Sequence, residues 1–230
     1  LADLVLGTVT GRVLVLRNTG TTYTPCFMPF RRASRRVLPH PPGSFSSPEV
    51  IRSDSVLQFA VGSMNDGVTI YEAALREGSI SIVLVDTVHT DPEGTALNLT
   101  PLSLDNNSAD GLLFAGRDGT VYALTGNGGT LGPSDIPSVP GSYPVLTSID
   151  VSGDGAADLL AGTGEGGVFF LEGAENGFHG DWLELLELSG IPSGAPEAWN
   201  DGVVFGTAEG SFIYFRQDED GCWTDMTASS

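Results

Sequence analysis

Asp150, Ser152, Asp154 and Asp158 stand at positions one, three, five and nine of a loop whose sixth residue is Gly155, within the stretch DVSGDGAADLLAGTGEGGVFFLEG. Oxygens borne by alternate residues of a tightly curled backbone can be aimed at one point, and a hard divalent cation takes about six to eight of them. The spacing therefore predicts a Ca2+ site built from the side chains of Asp150, Ser152, Asp154 and Asp158 and the carbonyl of Ala156, with Gly155 allowing the sharp turn. It is not an EF-hand, because position twelve is Ala161 inside an apolar run rather than a bidentate Glu. The competing reading is an Asx-rich turn whose carboxylates cap backbone N–H groups and bind nothing. Mutual repulsion of three carboxylates crowded together without a cation favours the metal.

The elements that must hold this loop are short apolar runs, and they recur. Ala2-Asp3-Leu4-Val5-Leu6-Gly7 lines up with Ala157-Asp158-Leu159-Leu160-Ala161-Gly162, and VLQFAVGSMNDGVTIYEAAL, DGLLFAGRDGTVYALTGNG and DGVVFGTAEGSFIYF repeat the pattern of strand, glycine turn and strand. The anchoring glycines Gly7, Gly62, Gly116, Gly162 and Gly206 stand 55, 54, 46 and 44 residues apart. Periods of about 40 to 50 residues mark four-stranded propeller blades. Each repeat shows three strands, and a further strand is expected just upstream, as in Tyr143–Ile149; ISIVLVDTV and WLELLEL supply outer strands. The continuous apolar run of residues 13–16 predicts a strand buried on both faces between stacked sheets. Phe169, Leu171, Leu159, Ala161, Val13, Val15, Phe114, Val121, Phe205 and Ile213 are expected in buried layers between blades. A β-sandwich is the alternative, but it leaves the fivefold return of one unit unexplained.

These repeats resemble the FG-GAP or VCBS repeat family, whose propellers include integrin alpha-subunit heads and some fungal lectins. The resemblance covers all five repeats in outline and implies a calcium loop between the innermost and second strands of a blade. That role falls on Asp150, Ser152, Asp154 and Asp158. A second, shortened loop in the third repeat offers Asp105, Asn107 and Asp110, whereas Gln58 and Val203 stand where the second and fifth repeats would need the last carboxylate. The expected fold is thus all-β, a single β-propeller domain over residues 1–230 with five four-stranded blades in repeats of roughly 1–47, 48–95, 96–142, 143–190 and 191–230. Leu1 enters inside a repeat, so the first blade is expected to lack an inner strand. The rival arrangement is the C-terminal part of a seven-bladed propeller.

Other residues permit other chemistry. Gly162-Thr163-Gly164-Glu165-Gly166-Gly167 matches the dinucleotide fingerprint in form, but the strand Val168–Leu171 follows it instead of a helix N-terminus, so it reads as a hairpin turn. Cys26 and Cys222 are the only cysteines. In a ring the first and last repeats are neighbours, so a disulfide between them would staple the closure; two unpaired thiols are the alternative. Asn98 and Asn106 begin glycosylation sequons and permit an extracellular or secretory setting. Arg31, Arg32, Arg35 and Arg36 cluster in a Pro- and Ser-rich insert that is either a solvated loop or a docking point for an acidic partner. Trp182, Trp199 and Trp223 fall near repeat ends, where they serve packing or a sugar-stacking platform. His40, His89 and His179 have no spacing that gathers them.

Charge narrows the partners. With 29 acidic and 10 basic residues, all arginine, the net charge is -19, which argues against nucleic acid and anionic membrane surfaces and favours cations. No apolar run is long enough to span a membrane, so no membrane insertion is expected. No Ser-His-Asp or Cys-His set is evident, and Asp54, Asp110 and Asp201 do not sit at equivalent offsets that would build a pair of axial carboxyls, so an enzyme is not expected. The expected function is a non-catalytic, calcium-binding recognition module for a protein or glycan ligand. The alternatives are a scaffold subunit docked in a larger complex and, last, a propeller glycosidase or lyase.

Overall fold

A computed structural model describes residues 4–8, 10–29, 46–52, 57–63, 67–76, 79–88, 99–102, 111–125, 132–174, 177–187, 196–199, 202–207, 210–218 and 222–227. The chain divides into two compact units, Leu1–Leu99 and Thr100–Ser230. Among the described residues there is no α-helix. The Val-, Leu- and Phe-rich runs all become antiparallel strands, consistent with the β preference of branched and aromatic side chains.

Among the described residues the first unit holds two sheets. β1 (Leu4–Gly7), β2 (Val13–Asn18) and β3 (Phe27–Pro29) form a three-stranded meander; β4 (Ser47–Arg52), β5 (Leu57–Ser63), β6 (Gly67–Arg76) and β7 (Ser79–Val88) form a four-stranded one. Phe59 on β5 lies opposite Tyr71 on β6, their rings stacked with centroids 5.3 Å apart, and with Val61 they form a buried layer that Val13, Ala73, Ile82 and Leu84 pack against. Burial pushes the Tyr71 phenol up to about 12, partly opposed by its hydrogen bond with Thr69. β2 departs from expectation. Val13 and Val15 are half-buried and Leu14 is 39% exposed, as is Leu6 on β1 at 38%. Only one face of this sheet carries the packed layer, so alternate residues of β2 divide between core and solvent.

Among the described residues the second unit holds three sheets and an extra hairpin. The first sheet comprises β8 (Thr100–Leu102), β9 (Gly111–Ala115), β10 (Val121–Thr125) and β11 (Gly132–Pro133); the second comprises β12 (Val145–Ile149), β13 (Asp158–Gly162), β14 (Gly167–Leu171) and β17 (Leu183–Glu187). Between β14 and β17 the chain makes the small hairpin β15 (Gly173–Ala174) and β16 (Gly177–Phe178). β18 (Glu197–Trp199), β19 (Gly202–Gly206), β20 (Phe212–Gln217) and β21 (Trp223–Asp225) complete the third sheet.

The middle sheet of this unit is packed on both faces, which is why all five residues of β13 are buried. Leu159 and Ala161 join Leu113, Ala115 and Val121 of the preceding sheet, with Leu146, Leu171 and Val139, in one core cluster. Leu160 points the other way, to Val203, Phe205 and Phe215 of the following sheet, as the two-residue side-chain period of a strand requires. Of the layer residues expected from sequence, Leu159, Ala161, Leu171, Phe114, Val121 and Phe205 are buried, and Phe169 and Ile213 are half-buried at the margins.

One turn recurs in both units. Gly11, Gly119, Gly166 and Gly210 each donate a backbone N–H to the carbonyl three residues earlier, on Thr8, Gly116, Thr163 and Thr207. All four, with Gly67 at the head of β6, have positive φ, between 74° and 94°. A side chain there would be strained, so glycine closes the hairpin between the second and third strands of each four-stranded sheet, and between β1 and β2 of the three-stranded one. The fingerprint-like stretch Gly162–Gly167 is such a hairpin, with Thr163 N–H bonded to Gly167 carbonyl at 2.9 Å.

Candidate functional site

β12 has a polar loop at each end. After it, the acidic loop of residues 150–158 curls through Gly153 and Gly155, both at positive φ. The Asp150 carboxylate accepts the Gly153 N–H at 2.7 Å and the Gly155 N–H at 3.0 Å; Asp154 accepts the Ala156 N–H at 2.8 Å. Asp158 opens β13 and is fully buried. Its Oδ2 accepts the N–H groups of Val151 and Ser152 at 2.8 and 2.9 Å, and its Oδ1 accepts that of Gly173 at 2.8 Å. Gly173 must be glycine, because a Cβ there would lie 1.9 Å from the Ala157 carbonyl oxygen. The hairpin β15–β16 thereby seals the far side of the loop.

The fit of a cation follows from this geometry. Asp158 is turned inward onto three N–H groups while Asp150, Ser152 and Asp154 are exposed. Among the described residues no three His, Cys, Asp or Glu side chains come together as a set able to hold a metal ion. The three loop carboxylates therefore avoid mutual repulsion by each capping backbone donors, the Asx-turn solution. Asp105, Asn107 and Asp110, the second loop expected to bind metal, lie outside the described residues, as do Arg31, Arg32, Arg35, Arg36, Asn98 and Asn106.

Before β12, the segment Gly141–Tyr143 bridges two of the recurrent turns. Tyr143 N–H donates to the Arg117 carbonyl at 3.0 Å, and Val139 N–H donates to the Gly119 carbonyl at 2.9 Å, both in the turn between β9 and β10. On the other side Gly164 N–H donates to the Ser142 carbonyl at 2.8 Å, in the turn between β13 and β14. From that turn the Glu165 carboxylate accepts the Ser142 N–H at 2.8 Å and the Ser142 hydroxyl, which hold its pKa below the usual carboxylate range. Tyr143 is the one non-glycine residue with positive φ among those described, at 52°. The Arg117 guanidinium lies over its ring, 4.7 Å from the centroid.

Arg117 and Ser142 were marked by no motif or spacing in the sequence, Glu165 stood there only inside the fingerprint-like Gly162–Gly167 turn, and Tyr143 only at the start of an expected strand. The available signal was the turn pattern itself. Asp118-Gly119 and Glu165-Gly166 occupy equivalent turns, and a lone Arg beside one of them is rare in a chain with ten basic residues.

Trp182 donates its Nε1–H to the Pro137 carbonyl at 2.8 Å and packs against the core cluster of the second unit; Trp223 packs against the other cluster of that unit. The Trp199 side chain, His40 and His89 lie outside the described residues, and His179 is exposed. Cys26 and Cys222 are free, exposed thiols. Each closes an outer hairpin through its backbone, accepting the Thr19 N–H and the Asp218 N–H respectively.

No protein-family model and no curated protein matches the chain. Among solved structures it is similar to a mutant Aleuria aurantia lectin in complex with Fucα1-6GlcNAc, with a TM-score of 0.53 and 8% identity over 97% of this chain and 77% of the lectin. It is also similar to BBS1N in complex with ARL6DN, with a TM-score of 0.50 and 14% identity over 91% of this chain. The chain spans 55% of the length of that BBS1N chain. Both neighbours are β-propellers, and at these identities the likeness is one of fold.

Proposed function

We propose that the chain is a non-catalytic recognition module that binds a protein or glycan through the loops at the strand ends of a propeller. In this reading its five sheets are the blades of one ring. The observation that carries it is the cluster before β12. Two turns and a connecting segment, tied by backbone hydrogen bonds, present an arginine, a strained tyrosine and a carboxylate together at the surface. Rigid sheets that display polar and aromatic loop residues are the usual basis of recognition on such scaffolds. The neighbours add support at the level of fold, one being a lectin with a fucosylated ligand and the other a protein in complex with ARL6DN. The resemblance to FG-GAP or VCBS repeats points the same way.

The experiment is a glycan array run beside co-purification of the full chain under native conditions. Saturable binding to a saccharide or a stoichiometric protein partner supports recognition. Turnover of a saccharide without retained binding would replace this reading with the glycosidase one. A second reading, a scaffold subunit in a larger complex, is favoured by Val83 and Val85, 56% and 49% exposed on the outermost strand of the β4–β7 sheet. Stoichiometric co-purification with no saccharide binding selects it.

Calcium on the acidic loop is a separate proposal. A cation there competes with backbone N–H groups for Asp150 and Asp158, and Asp158 would have to turn outward. Calorimetric titration of the chelator-treated protein with CaCl2 decides the matter. One equivalent of heat, abolished in Asp154→Ala, supports the site, and a flat titration removes it. An extracellular or secretory setting and closure of a five-bladed ring belong to the recognition proposal.

A further inference from the structure

We infer that Arg117, stacked on Tyr143, is the docking point for a carboxylate carried by the ligand, so that the module selects singly acidic saccharides. The inference rests on the glycan half of the recognition reading. Its first observation is an unpaired charge. In a chain of net charge -19 a surface cation has many carboxylates to choose from, yet Arg117 is exposed and makes no ion pair or side-chain hydrogen bond among the described residues beyond its ring contact. The two neighbouring carboxylates are engaged elsewhere. Asp118 accepts the N–H and hydroxyl of Thr120, both at 3.0 Å, and Glu165 is held by Ser142. The guanidinium donors are therefore open to an incoming group.

The second observation is how the cation is held. A guanidinium lying on an aromatic face is fixed in orientation before any ligand arrives, which lowers the entropy lost when it forms a paired hydrogen bond. Its platform is itself constrained. Tyr143 adopts the left-handed conformation, which an L side chain reaches only at a cost, and it is kept there by the Tyr143 N–H bond to Arg117 and by the Ser142 bond to Gly164. Glycine would fill that backbone position without strain, so tyrosine there brings a ring under Arg117 in exchange for the strain. Gly164 lies beside the ring, where an added Cβ would come within 3.4 Å of the Tyr143 Cβ.

The ligand class follows from shape and field. A planar guanidinium matches a carboxylate through two parallel N–H···O bonds. The surrounding negative field opposes polyanions such as heavily sulfated chains and tolerates one carboxylate on an otherwise neutral sugar. Hydroxyls of that sugar would meet the exposed edge of the cluster.

The test titrates the full chain with 3′-sialyllactose, its methyl ester and lactose, following backbone amide shifts of residues 117–120 and 141–165. Tight binding of 3′-sialyllactose, weakened about 10- to 100-fold by esterification and by Arg117→Gln, is expected, the range corresponding to a charge-assisted bond of about 1.5–3 kcal/mol. An unchanged melting temperature in Arg117→Gln shows that the loss is not unfolding, and Arg117→Lys should recover only part of the affinity. Equal affinity for acid and ester, or for wild type and Arg117→Gln, overturns the carboxylate site while leaving glycan recognition standing. If the array and all three probes show no saccharide binding, the glycan reading fails and this inference with it.

Discussion

The two ends of β12 answer the same problem differently. Beyond its last residue, three carboxylates are gathered within nine positions, and the backbone curls round to cap them with six N–H groups. Before its first, a cation and a carboxylate stand in facing turns without pairing, each held by a neutral partner, Tyr143 for Arg117 and Ser142 for Glu165. The acidic end is closed by its own backbone donors. The other holds its cation on an aromatic ring at the surface.

The sharpest way to break this comparison is Asp158→Ala. Three backbone N–H groups, that of Gly173 buried and those of Val151 and Ser152 part-buried, would lose their acceptor, at a cost of roughly 2–4 kcal/mol, read as a lower urea midpoint with unchanged slope. A loss under about 1 kcal/mol would mean that the acidic loop is not a structural device. Next comes Trp182→Phe, which keeps the packing on the core cluster and removes the bond to Pro137. About 1 kcal/mol is expected in the same urea experiment.

How much of this was legible beforehand differs between the two ends for a physical reason. The acidic loop is local. Its carboxylates, glycines and the strand they precede lie within a single run, so sequence spacing exposed the loop and its alternative reading as an Asx turn. What spacing did not reveal is that Gly173, fifteen residues on, supplies the third donor to Asp158, because that depends on the hairpin β15–β16 turning back. The other end is non-local throughout. Arg117, Tyr143 and Glu165 are separated by more than twenty residues at each step and meet only once adjacent sheets are stacked. The all-β architecture was readable because the strand and glycine pattern repeats. The exposure of Leu14 was not, because a continuous apolar run looks the same whether one face or both are covered.

A smaller effect separates the members of the acidic loop. Asp154 is exposed and makes a single bond to the Ala156 N–H, so Asp154→Ala should cost at most about 0.5–1 kcal/mol without added metal. The same variant measured in excess CaCl2 sharpens the contrast. If calcium raises the wild-type melting temperature and not that of Asp154→Ala, the loop binds a cation in solution and the two ends of β12 are both ligand sites. If neither moves, the acidic end is structural only.

The subtlest expected effect lies in the staple between Glu165 and Ser142, where protonation can be used as a reversible mutation. Because the folded state holds the Glu165 pKa below its unfolded value, this carboxylate contributes stability that is fully present above the ordinary carboxylate range and is lost as pH falls through its depressed folded value. The group is exposed, so global unfolding should barely register the change. Hydrogen exchange of the Ser142 amide should register it, since that N–H donates directly to the carboxylate. After correction for intrinsic exchange, Ser142 protection should decline on acidification in the wild type and be uniformly low in Glu165→Ala. The Gly164 amide, bonded to the Ser142 carbonyl, should follow it, whereas the Gly166 amide, bonded within its own turn to Thr163, should not. Parallel loss at all three amides would show that acid opens the whole β13–β14 turn, and the platform beneath Arg117 would then not be held by Glu165.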